Sequence, residues 1–166
     1  MTKIISSTAL NMVSDACHKG FGACFGRKWI QGVFPSSWAQ LHISVMEFFP
    51  ILVMIDLFGN LIKNAQILFE TDNSQVVSYI NKQSSDKAPI MALMRPLILL
   101  LIKHNIQLVA RHIPGKENTL ADAISRFSLK PEMIVKYNLE EQPTELPRRL
   151  LPQAFEDKLG LTLRTQ

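Results

Sequence analysis

The hydrophobic positions of the chain change their spacing several times, and each change marks a boundary between elements. Ala9 to Ala16 is apolar and rich in strand formers, His18-Lys19-Gly20 supplies a turn, and Phe21 to Phe25 and Lys28 to Phe34 read as two further strands of an antiparallel meander. Leu41 to Asn60 is mainly apolar and too long for a strand. It is predicted to be a helix, opened by a capping box between Ser44 and Glu47. Gln66 to Glu70 reads as a buried strand. Asn73 to Asn81 and Pro89 to His104 read as helices, and Pro96 should kink or interrupt the second because proline lacks a backbone donor. Ile106 to Ala110 is a last short strand, His112 to Glu117 a polar loop with a Pro-Gly turn, and Asn118 a good N-cap for a final helix ending near Arg126. The order βββαβααβα describes an α/β fold, a mixed sheet with helices packed on its faces.

From Ser128 onward the pattern fails. Pro131, Pro143, Pro147 and Pro152 punctuate polar sequence, which predicts a linker or extended arm and no second core. The chain thus divides into a lead-in at 1–8, one domain at 9–127 and an arm at 128–166. Charge divides at the same place: the first 127 residues hold 12 Lys+Arg against 8 Asp+Glu, and the remainder hold 6 of each. All of the net +4 therefore belongs to the domain, which permits a polyanionic partner without requiring one.

Composition narrows the class further. With 166 residues, 47% of them hydrophobic and 19% charged, the chain can bury one real core. The run Pro96 to Ile102, flanked by Arg95 and Lys103, is far short of the roughly 18 residues that span a bilayer, so no membrane partner is expected. No secretory signal opens the chain, and an intracellular protein is expected. Cys17 and Cys24 are too few for a disulfide framework and lack the usual zinc spacing, so buried reduced thiols are expected.

Four carboxylates stand where carboxylates need a reason. Asp15 ends an apolar strand, where burial without a partner is costly. Asp72 follows Ile67-Leu68-Phe69 at the carboxyl end of another, the edge on which open α/β sheets place their sites. Glu47 lies in the first turn of the long helix and Asp122 near the start of the last. Grouped in space, they would suit hard cations such as Mg²⁺, and a pair of ions can clamp both oxygens of a phosphoryl transfer. Each also has an ordinary explanation: Glu47 as half of a capping box, Asp72 as a helix N-cap, Asp122 as a solvated first-turn acid, His112 as an exposed imidazole.

The order of the set favours the site. Ser14-Asp15-Ala16, Met46-Glu47, Thr71-Asp72-Asn73 and Ala121-Asp122-Ala123 reproduce the D, E, D, D succession of ribonuclease H, and Arg111 to Asn118 resembles the histidine loop of retroviral and retrotransposon ribonuclease H domains. More narrowly, Glu47-Phe48-Phe49-Pro50-Ile51, Asn81 to Ser85, Arg95-Pro96-Leu97, and His112 through Arg126 resemble the ribonuclease H domain of DIRS-type retrotransposons, which use a tyrosine recombinase. The resemblance spans about residues 9 to 127. It implies a ribonuclease H-like fold with a five-stranded mixed sheet, two Mg²⁺ ions (Mn²⁺ as substitute), and cleavage of the RNA strand of an RNA/DNA hybrid. It also implies Asp15, Glu47, Asp72 and Asp122 as metal ligands, with His112 assisting proton transfer or product release. A reverse transcriptase polymerase domain is the implied partner in a parent polyprotein, of which this chain would be an excised domain or a remnant.

RNA would be distinguished by contacts to 2′-hydroxyls in a wide, shallow minor groove. Asn73, Asn118 and the backbone near Gly20 and Gly22 are the candidates. Lys19, Arg27, Lys28, Lys82, Arg111, Lys116 and Arg126 are candidates for phosphates. Cys17 stands where the family often has serine, and Ser44 where it often has asparagine, which bears on substrate contacts more than on chemistry. Integrases and transposases carry D, D, E with the glutamate last, and proofreading exonucleases carry Asp-x-Glu on the first strand, unlike Asp15-Ala16-Cys17. The histidine loop argues against a resolvase. The non-enzymatic alternative is a degenerate domain that binds nucleic acid or acts as a scaffold.

Overall fold

The computed structural model describes residues 10–161, so the lead-in assigned to 1–8 lies outside the described residues. Five strands, β1 (Leu10–Ala16), β2 (Gly20–Phe25), β3 (Lys28–Val33), β4 (Gln66–Thr71) and β5 (Gln107–His112), form one sheet in the order β3-β2-β1-β4-β5. β1, β2 and β3 are antiparallel neighbours joined by short turns, while β4 pairs in parallel with both β1 and β5. The helices are α1 (Ile43–Phe58), α2 (Ser74–Lys82), α3 (Ala88–His104), α4 (Thr119–Ser125) and α5 (Pro131–Lys136).

Strand alternation sends side chains to two cores. Met12, Phe21, Ala23, Ile30 and Phe69 belong to the larger one, shared with α1 and α3. Cys24 and Trp29 point the other way and meet Ile124 of α4 and Leu139. Apart from Ser44, Glu47 and Asp56, α1 carries apolar side chains all round, as a helix buried on nearly every side must. α4 closes directly on β2 because Gly22 has no Cβ; one built there would collide with Ile124 and the Ser125 backbone.

Several expectations shift at element ends. α1 begins one residue before Ser44, with His42 as N-cap and its Nδ1 accepting from the Ser44 N–H at 3.1 Å. The predicted capping box therefore does not form, since Glu47 lies two positions beyond the one that reaches back to the cap. α3 runs unbroken through Pro96. β5 extends to His112, which is a strand residue rather than part of the loop, because Thr71 supplies its partner on β4. Asn118 holds the N-cap position of α4 but makes no capping bond; its amide donates to Ser14 O at 2.9 Å instead.

The segment after Phe127 has no core of its own, and it is also not free. It starts on the α4 face, where Leu139 packs beside Trp29. It then crosses the exposed edge of the sheet, with Glu140 N–H donating to Arg27 O (2.8 Å) and Thr144 N–H to Trp29 O (2.9 Å). Beyond the edge, Leu150, Phe155 and Leu159 enter the larger core, and the Phe155 ring sits 5.1 Å from that of Phe49 in edge contact. Arg149 pairs with Asp56 of α1 at 2.6 Å. The arm is a strap that binds both faces and covers β3, the kind of edge that otherwise invites pairing with another chain.

Candidate active site

The parallel pairing of β1 with β4 builds the centre of the site. Val13 stands opposite Glu70, which brings Asp15, two residues further along β1, and Asp72, just past the end of β4, to the same carboxyl edge of the sheet. α1 lies across this edge and brings Glu47 to it. One carboxylate oxygen from each of Asp15, Glu47 and Asp72 lies within 4.8 Å of the others. Asp15 and Glu47 are buried and Asp72 is half-buried. The capping explanations of Glu47 and Asp72 both fail on geometry: Asn73, not Asp72, caps α2, its Oδ1 accepting the Val76 N–H at 3.0 Å.

Such crowding raises the cost of charge. Burial pushes the Asp15 carboxyl up to about 8, helped by Asp72, by a hydrogen bond with Asp122, and by Glu47. Burial also raises Glu47, to about 7; the Asn73 amide opposes the rise and Asp72 adds to it. Three hard oxygen donors at this separation, poorly solvated and close to one another, are a donor set for a divalent cation such as Mg²⁺ or Mn²⁺.

Asp122 borders the trio without joining it. Its carboxylate accepts from Arg126 Nε at 2.9 Å, one helical turn on, and its side chain is 45% exposed. The Ser125 hydroxyl lies between the backbone of Asp122 and the Asp15 carboxylate, donating to the Asp122 carbonyl O (2.8 Å) with Asp15 Oδ2 at 3.4 Å. His112 Nε2 lies 3.2 Å from Asp72 O. The turn Gly115–Glu117 passes beside Asp72, where a Cβ on Gly115 would stand 3.2 Å from Oδ2. An open cleft of about 430 Å³ between the N-termini of α1 and α2 is lined by Glu47 and Asp72.

The expected substrate contacts fare unevenly. Gly20 and Gly22 are buried under α4, and Asn118 is only 3% exposed and bound to Ser14, so these three are packing residues. The Asn73 amide is spent inside the protein: Nδ2 donates to Glu47 Oε2 and to Ser44 Oγ, whose hydroxyl continues to Gln75 at 2.7 Å. It positions Glu47 rather than offering a free donor to RNA. Nothing in the local sequence marks this role, because its partner lies 26 residues earlier. Arg27 and Lys28 hold the strap, through Asn138 O (3.2 Å) and Glu140 (3.1 Å). Arg111 is exposed and paired with Glu70 at 2.9 Å. Lys19, Lys82 and Lys116 are exposed. Both cysteines are free, and burial pushes the Cys24 thiol up to about 12, which leaves it inert.

No protein-family model matches the chain, and no curated protein matches it in sequence. Solved structures do. LC11-RNase H1 in complex with an RNA/DNA hybrid superposes with a TM-score of 0.58 at 14% identity, over 69% of this chain and 92% of that one. RNase H1 from Halobacterium salinarum gives 0.53 at 12% identity, over 73% and 97%. The N-terminal RNase H domain of a Mycobacterium tuberculosis protein gives 0.50 at 13% identity, over 78% and 98%. The sheet with its helices is a ribonuclease H-like fold, and nearly the whole length of these neighbours fits within the chain.

Proposed function

We propose that the chain is a divalent-cation-dependent endoribonuclease that cleaves the RNA strand of RNA/DNA hybrids. The observation that carries this reading is the convergence of Asp15, Glu47 and Asp72 at one edge of a ribonuclease H-like sheet. These three would hold the cations, with Asp122 completing the set by exchanging Arg126 for an ion. Two cations bound there would neutralise the scissile phosphate and activate the attacking water. The protein's own groups do the positioning: Asn73 fixes Glu47, Gly115 leaves the approach to Asp72 free of side chain, and His112, exposed beside Asp72, stands where it would assist proton transfer or product release. The hybrid complex known for LC11-RNase H1 supports the choice of substrate class. The motifs around Glu47, Asn81, Arg95 and His112 support an origin in the reverse transcriptase polyprotein of a DIRS-type element, with its polymerase domain as partner.

The test is a set of uniform duplexes with Mg²⁺ or Mn²⁺. Nicks in the RNA of a hybrid, none in DNA/DNA, and loss of cleavage in EDTA and in Asp15→Asn are expected. Equal cutting of duplex DNA or full activity in EDTA would overturn the reading. Tight hybrid binding without cleavage would instead identify a degenerate nucleic-acid-binding module.

A further inference from the structure

α4 ends in a Schellman motif, with Phe127 N–H donating to Ile124 O (3.1 Å) and Ser128 N–H to Ala123 O (2.9 Å). This closure forces Phe127 into the left-handed region at φ 56°. Glycine or asparagine usually fills such a position, because a Cβ is strained there and a bulky side chain more so. α3 and α5 end in the same closure on Asn105 and Asn138, and α2 on Gln83. Phe127 gains little burial for its strain: it is 50% exposed. Its ring is seated on Gly20, where any Cβ would collide with it. Backbone strain that packing does not offset points to a role outside the fold.

The place of the ring suggests the role. Gly20 opens β2, the antiparallel partner of the end of β1 that carries Asp15. Two residues before Phe127, Ser125 reaches Asp15, and one residue before it Arg126 holds Asp122. The ring therefore flanks the carboxylates on the β2 side. Around it, His18 and Lys19 are exposed in the turn, and the Arg126 side chain is 60% exposed and uses only Nε in its ion pair. A half-exposed aromatic ring, with Arg126 adjoining it in the chain and Lys19 adjoining the Gly20 on which it is seated, is suited to a polyanion that also carries flat or apolar surfaces.

We propose that Phe127, with Lys19 and Arg126 beside it, is a nucleic-acid contact next to the carboxylates, the ring packing on a sugar or base and the cations meeting the adjoining phosphates. This rests on the ribonuclease H reading above. Ring contacts of this kind are indifferent to sequence, and the phosphate contacts set register.

The experiment measures hybrid binding by fluorescence anisotropy with Mg²⁺ in a Glu47→Gln background, so that the RNA stays intact. Phe127→Gly and Phe127→Asn, both at ease at this φ, should weaken binding about tenfold, whereas Phe127→Tyr should stay within about twofold of the parent. Phe127→Gly should melt no lower than the parent. Lys19→Gln should reduce the dependence of log Kd on log salt by about one. Affinities of both Phe127→Gly and Phe127→Asn within about twofold of the parent would overturn the proposal, as would a loss of affinity that accompanies a large fall in melting temperature in both. Failure of the parent to bind hybrid at all would overturn the underlying reading and this contact with it.

Discussion

At the scale of the residue, the sequence makes Glu47 and Asp72 ambiguous, because helix starts and metal sites draw on the same side chains. What separates the readings is distance between residues far apart in sequence. His42 takes the cap of α1 and Asn73 the cap of α2, which leaves both carboxylates free to meet Asp15. The convergence of Asp15, Glu47 and Asp72 was thus legible in order and spacing, while Asp122 stays at the border on Arg126; the Asn73 clamp was not legible, since it exists only once β4 has brought Asn73 beside α1. Two substitutions follow. Asp72→Asn in EDTA removes the charge that disfavours ionisation of both Asp15 and Glu47 and should raise the melting temperature by about 2–4 °C, the shift expected for about 1 kcal/mol in a chain of this size. It should also shrink the stabilisation gained on adding Mg²⁺; a lower melting point with the full Mg²⁺ response would return Asp72 to an ordinary helix-end acid. Asn73→Ser keeps the cap of α2 but cannot reach Glu47. It should weaken Mn²⁺ binding, read by calorimetry, by about 10-fold or more, as losses of outer partners to metal ligands do, while the melting temperature in EDTA moves little. Unchanged Mn²⁺ affinity would reduce Asn73 to a cap alone.

At the scale of the element, period, run length and turn residues named the five strands and four α-helices of the described residues 10–127 in order, and passed over the short 3-10 turn Ser36–Gln40. Apart from that turn and the interruption expected at Pro96, which α3 runs through, the misses fall at ends, where tertiary partners decide: β5 gains His112 from Thr71, and Asn118 abandons its cap for Ser14. The meeting of β1, β4 and α1 has a consequence for pH. Asp15 rises from 3.8 to about 8 and Glu47 from 4.5 to about 7 in the folded protein. Between the unfolded and folded values the native state therefore holds more protons than the unfolded chain, so stability falls as pH rises. In EDTA the contribution is fully present below about pH 4 and is lost by the time pH passes 8. Melting at pH 8.5 should lie about 5 °C or more below melting at pH 5. With Mg²⁺ the gap should narrow or reverse, because cation binding needs the carboxylates deprotonated. An apo protein whose melting temperature climbs between pH 5 and 8.5 would contradict the crowded-carboxylate account.

At the scale of the whole molecule, the segment after Phe127 shows where pattern reading stops. Apart from the short helix α5, which buries none of its own residues, the large apolar side chains that the segment buries, Leu139, Leu150, Phe155 and Leu159, follow neither a helical nor a strand period and are separated by prolines and balanced charge, so they announce no element. An extended strap needs no period; it needs only an anchor wherever it crosses a gap in the surface. The gaps lie on the domain: the Trp29 side of the edge strand, and the end of the aromatic cluster formed by Phe34, Trp38 and Phe49. A chain ending at Phe127 would leave both uncovered, so the arm is expected to contribute to the stability of the fold. Buried side chains of this size contribute about 1.5–3 kcal/mol each, and four of them together approach the whole stability of an ordinary domain, about 5–15 kcal/mol. A single substitution tests this without removing the strap. Phe155→Ala opens a cavity beside Phe49 and should cost about 3–5 kcal/mol in urea denaturation, the range for truncating a buried phenylalanine. Val135→Ala, at a side chain 81% exposed, is the control and should stay within about 0.5 kcal/mol of the parent. Equal stabilities for the two variants would show that the strap lies on the domain without supporting it, and truncation at Phe127 would then leave a cooperative unfolding transition intact.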